Sequence, residues 1–88
     1  MTNRYFLYDD KEDTKTRFVS FIWDTQRFDL AITSSRRFYG KQLVLDLQGS
    51  RYAIIGPDDL EEADYIAYAF QISPEDAEEL RSFLVETL

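Results

Sequence analysis

The chain has no cysteine and no histidine among its 88 residues. Without cysteine there is no disulfide framework, no thiol nucleophile and no zinc site of the usual kind. Without histidine the commonest general base and the commonest transition-metal ligand are both missing. Glycine is scarce: Gly40, Gly49 and Gly56 stand alone at expected strand ends, so no glycine-rich phosphate loop is present. No apolar run approaches the ~18 residues that a membrane helix needs. The opening residues, MTNRYFLYDDKED, lack the long apolar segment of a signal peptide and turn acidic by Asp9. These absences lead us to expect a cytoplasmic protein of a bacterium or similar cell, not an enzyme, with no cofactor, no metal and no membrane partner.

Cations are also scarce in the second half. Residues 1–56 carry nine basic and seven acidic side chains, a net +2, whereas residues 57–88 carry Arg81 alone against ten acidic side chains, a net -9. The whole chain is at -7. That total opposes a general nucleic-acid binder, which needs clustered cations against phosphates. The acidic half reads either as a solubilising surface or as a docking face for a basic partner.

What the chain does have is apolar patterning in two periods. One domain is expected over residues 1–88, with residues 1–14 as an edge strand plus loop, as a docked tail, or partly disordered. Lys15–Trp23 reads as a strand with Val19, Phe21 and Trp23 on one face and Phe18, Ser20 and Ile22 on the other. Apolar residues on both faces predict a central strand covered on two sides. Arg27–Thr33 alternates, with Phe28, Leu30 and Ile32 inward. Ser34–Gly40 is a connection. In Lys41–Ile55, Leu43, Leu45 and Leu47 share one face and Asp46 takes the other. Gly49-Ser50 predicts a two-residue hairpin turn with Gly49 supplying positive φ.

Helical signals begin at Gly56-Pro57. Asp58 is the expected N-cap, and Glu61 stands at capping-box spacing. The first helix is expected at about Asp59–Phe70, with Leu60, Ala63, Ala67 and Phe70 on one side. Ser73 caps a second helix starting at Pro74, where the missing N–H costs nothing. Ala77, Leu80, Leu84 and Leu88 follow at helical spacing. The predicted fold is α+β: an antiparallel meander of four or five strands, then two helices packed on one face.

Three groups of residues bear on chemistry. Asp29 and Asp46 would have to face one surface to act as a carboxylate pair, and a domain this small leaves little room for a ligand cavity of ~300 Å3. Asp58, Asp59, Glu61, Glu62 and Asp64 lack the loop spacing of a calcium site and suit a helix N-terminus. Arg36, Arg37, Phe38, Tyr39 and Lys41 interleave cations with aromatics, as single-stranded nucleic-acid binders do. These five are the candidate interaction surface. No catalytic, cofactor-binding or metal residue is assigned. The fourteen aromatics exceed what a small core readily buries, which points to an unidentified protein partner or a homodimer through the sheet or an edge strand.

Four stretches carry a resemblance: Tyr5–Asp10, Thr16–Phe21, Arg27–Ile32 and Ile54–Glu62. Together they resemble a family of small acidic proteins from Firmicutes, catalogued as a domain of unknown function, number 3055. The resemblance covers nearly the whole chain. It implies a bacterial, cytoplasmic, stand-alone protein and no particular activity.

Overall fold

Period-two patterning in the first half and helical patterning in the second give two layers, a sheet and a helix pair. The computed structural model describes residues 3–88, the side chain of Ala63 excepted, so the expected inward position of Ala63 lies outside the described residues, as do Met1 and Thr2 of the expected 1–14 segment. Four strands, β1 (Lys15–Trp23), β2 (Gln26–Ser34), β3 (Gln42–Asp46) and β4 (Arg51–Ile55), form one antiparallel sheet in the order β1-β2-β3-β4. Helices α1 (Ala63–Phe70) and α2 (Pro74–Thr87) follow. The α+β meander with two C-terminal helices is therefore the observed architecture.

The core lies between the helices and one sheet face. Phe28, Leu30, Ile32, Val44, Ala53 and Ile55 from the sheet meet Leu60, Ile66, Phe70, Ala77, Leu80 and Leu84. Burying a large apolar side chain stabilises by roughly 1.5–3 kcal/mol, so this cluster dominates the fold. Phe21 stacks on Phe28 at 5.1 Å between ring centroids and meets Phe83 of α2 at 4.8 Å. Arg17 lies 5.9 Å over the Phe83 ring, tying β1 to α2.

Several local expectations are corrected. β1 is an edge strand, with its second face bare: Phe18 is 74% exposed and Ile22 73%. Both helices lie on the other face, and among the described residues no helix covers them. No strand forms in residues 3–14, and Tyr5, Phe6, Leu7 and Tyr8 are exposed.

The β3–β4 turn has four residues between Asp46 and Arg51. Ser50, at φ 56°, takes the left-handed conformation expected of Gly49. Gly49 instead allows a close approach: its N–H donates to Asp46 Oδ1 at 3.2 Å, and a Cβ there would lie 2.5 Å from Asp46 Oδ2.

The first helix begins later than expected. Pro57–Glu61 forms a 3-10 turn, Glu62 is extended, and α1 starts at Ala63. Asp58 is not the cap. Asp59 reaches back to accept from the Gly56 N–H at 2.8 Å, and glycine has no side chain to return the bond. Ser73 does cap α2, accepting from the Asp76 N–H at 3.1 Å, with Pro74 at the first helical position.

Candidate interaction surface

The loop singled out for its cations folds as a 3-10 turn, Arg36–Phe38, capped by Ser35 Oγ accepting from the Arg37 N–H at 3.0 Å. Tyr39 closes the turn at φ 51° and is 94% exposed; Phe38 is half-buried.

Arg37 is committed to the N-terminal segment. It pairs with Asp10 at 3.4 Å and Glu12 at 3.3 Å, and lies 5.3 Å over the Tyr8 ring. Ser35 Oγ also donates to Glu12. Lys41 Nζ pairs with Asp59 Oδ2 at 3.1 Å, its stem packed against Gly56. Among the described residues Arg36 makes no ion pair. The structure thus gathers all five predicted residues at one end of the sheet but binds Arg37 and Lys41 to carboxylates of the same chain.

An open cleft of about 540 Å3 lies at this end, lined in part by Asp13, Lys15, Ser34, Arg36 and Lys41. Asp13 and Thr14 of the N-terminal segment form part of its wall, and it is broadly open to solvent. Its charges are mixed, with Asp13 among the cations.

Two acidic readings meet geometry as well. Asp46 pairs across the sheet with buried Leu30, while Asp29 is Leu30's chain neighbour and so points to the opposite face. They cannot act on one substrate. Among the described residues, no three or more carboxylates are gathered as a metal-binding group. Asp59 is held below the ordinary carboxylate value of 3.8, first by its bond from the Gly56 N–H, then against partial desolvation, and further by Lys41.

The second surface is the uncovered sheet face. Register places Phe18, Ala31, Leu45 and Tyr52 in one row across all four strands. Thr16, Thr33, Leu43 and Ile54 form the next row. Its polar groups satisfy one another. Thr16 and Thr33 share a hydroxyl hydrogen bond at 2.8 Å, and Arg27 Nε pairs with Asp29 Oδ2 at 3.0 Å. A hydrogen bond from Ser20, directly opposite, holds Asp29 below its ordinary value, opposed by desolvation and reinforced by Arg27. The face therefore carries one cation and one anion, already joined.

Phe18, Ile22, Leu43, Leu45, Tyr52 and Ile54 were not assigned to any site from sequence. Their signal was the apolar residues on both faces of Lys15–Trp23, combined with two predicted helices that pack on one face.

These features define a small α+β protein with a bare apolar sheet face and a charge-paired loop. A family model described as SAV0927-like matches residues 7–86, and the chain belongs to the SAV0927-like family. No curated protein matches the chain. No helix among the described residues is long and apolar enough to cross a membrane.

Proposed function

We propose that this chain is a non-enzymatic protein-interaction or regulatory module of the bacterial cytoplasm, of the Firmicutes type that its sequence resembles, and that it works through the open sheet face. The observation that carries this reading is the Phe18–Ala31–Leu45–Tyr52 row, whose end members Phe18 and Tyr52 are 74% and 67% exposed while neighbouring polar groups are paired internally. Contiguous exposed apolar surface costs solubility and marks interaction sites. The occupant that fits it is protein with an apolar, neutral surface, a second copy of the chain foremost. A basic partner would meet the acidic helices instead.

The test compares tagged wild type with a Phe18→Glu/Tyr52→Glu double variant in native lysate. Wild type should retain protein, another copy of the chain included, that the variant loses. Equal retention by both, or retention of nothing by either, overturns the reading. Single-stranded nucleic acid through Arg36, Arg37, Phe38, Tyr39 and Lys41 is the less supported reading, since two of its three cations already meet carboxylates.

A further inference from the structure

We infer that the cleft at the Lys15 end of the sheet is a binding site for a small phosphate ester whose remainder carries hydroxyl groups. The inference goes beyond the sheet-face reading and stands independently of it.

Strand register builds the floor. Lys15, Ser34, Gln42 and Ile55 are partners in one row across all four strands. Ile55 belongs to the core under the helices, so this row lies on the helix side of the sheet and not on the open face. Along β2 that side reads Phe28, Leu30, Ile32 and then Ser34, so the apolar run stops one step short of the strand end. The hollow over this polar end holds about 540 Å3, with Asp13, Arg36 and Lys41 in its walls. Small-molecule sites span roughly 300–1,000 Å3. A second hollow of about 270 Å3 shares Lys15, Ser34 and Gln42 and adds Arg17.

Charge selects the ligand. The chain is at -7, yet among the described residues Lys15 and Arg36 pair with no carboxylate. Lys41 is already held by Asp59. A phosphate monoester carries about -1.5 to -2 at pH 7 and three acceptor oxygens. It therefore matches both unspent cations, whereas a lone carboxylate matches one. The planar fork of Arg36 suits phosphate oxygens, and the Ser34 hydroxyl and Gln42 amide add neutral donors beside it.

Asp13 selects the rest of the molecule. It enters the cleft from the N-terminal segment and, among the described residues, pairs with no cation. An ionised carboxylate only accepts hydrogen bonds, so it favours a hydroxyl and repels a second phosphate. Asp10 and Glu12, gathered at Arg37, extend that repulsion to a continuing phosphate backbone. No aromatic side chain lines the hollow among the described residues, so it offers no platform for a stacked base. These terms fit a sugar phosphate better than a nucleic-acid strand.

The test is a titration of the nitrogen-15-labelled full chain, read by amide chemical shifts. The probes are ribose 5-phosphate, inorganic phosphate, ribose and an oligothymidylate. Ribose 5-phosphate should shift the Lys15, Ser34, Arg36 and Gln42 amides saturably, and ribose should not. Lys15→Gln/Arg36→Gln should weaken its binding roughly ten-fold or more through the loss of two charge-assisted contacts. Both side chains are exposed, so the melting temperature should stay unchanged. Asp13→Asn should weaken ribose 5-phosphate and leave inorganic phosphate as it was. No saturable shift by about 10 mM, a range that admits even weak millimolar binding, overturns the site. So does equal affinity in the double variant, or an Asp13→Asn effect that is the same on both phosphates. Tighter binding of the oligothymidylate at the same amides overturns the small-molecule assignment in favour of a nucleic-acid strand. Phe18→Glu/Tyr52→Glu should bind ribose 5-phosphate as wild type does, which keeps failure here distinct from failure of the sheet-face reading.

Discussion

Arg81 on α2 donates from its Nε to the main-chain carbonyl of Leu60 at 2.6 Å, while its Nη1 meets Glu78 at 3.0 Å. The sole cation of residues 57–88 is thus a clamp between α2 and the 3-10 turn that leads into α1. Leu60 is itself buried, so its carbonyl has little access to water. Arg81→Ala should destabilise by about 1.5–3 kcal/mol, the range for a hydrogen bond involving a charged group. Arg81→Leu should lose as much despite adding apolar surface. Thermal or urea unfolding checks this, and wild-type stability in both variants would show that the clamp is idle.

The β3–β4 turn offers a pair of opposite effects. Ser50 sits at φ 56°, where a Cβ is unfavourable, so Ser50→Gly should stabilise by up to ~1 kcal/mol. Gly49→Val should destabilise, because its side chain must displace the Asp46 carboxylate that bonds the Gly49 N–H. The two single variants should therefore move the melting temperature in opposite directions. A shared direction would mean that the turn takes another form in solution.

The pH dependence of stability follows from Asp59. Its folded-state value lies below 3.8, chiefly through the Gly56 N–H and next, on the favourable side, through Lys41. A carboxylate depressed by folding contributes stability that is fully present above its unfolded value. That stability is lost as pH falls through the folded value. Wild type should thus lose stability below about pH 4, the unfolded carboxylate range. Asp59→Asn should be less stable than wild type at pH 7 and should show a smaller loss between pH 7 and pH 3. Parallel melting curves for the two proteins across that range would show that Asp59 does not carry the effect.

Much of this fold was legible because its strands alternate cleanly. Phe28, Leu30 and Ile32 could only face a core, and Ser73-Pro74 could only open a helix. Local patterning does not say how many layers are available to cover a sheet. The patterning therefore predicts a covering layer over Phe18 and Ile22 that the described residues do not supply. At the Pro57–Glu61 turn the sequence signals were correct in kind, a carboxylate serving a helix start, but the competing Gly56 N–H drew Asp59 instead of Asp58. The candidate loop was legible as a cluster and not as a network. Its partners Asp10 and Glu12 lie 27 and 23–25 residues away in sequence, at distances no spacing rule reaches.

Arg37 makes the last prediction, because it separates a structural role from a nucleic-acid role for that loop. Its guanidinium meets Asp10, Glu12 and the Tyr8 ring, and so holds residues 8–12 against the 3-10 turn. The side chain is 40% exposed, so its pairs are screened and contribute less than about 1 kcal/mol to global stability. Arg37→Ala should then leave the melting temperature nearly unchanged while speeding tryptic cleavage after Lys11 several-fold. Added salt should speed cleavage in wild type toward the rate of the variant, since it weakens the same pairs. If Arg37 instead served nucleic acid, single-stranded RNA or DNA would slow that cleavage at low salt, by competing for or ordering the loop. The ion pairs to Asp10 and Glu12 lead us to expect no such protection in wild type, and protection abolished by Arg37→Ala would reverse the assignment of this loop.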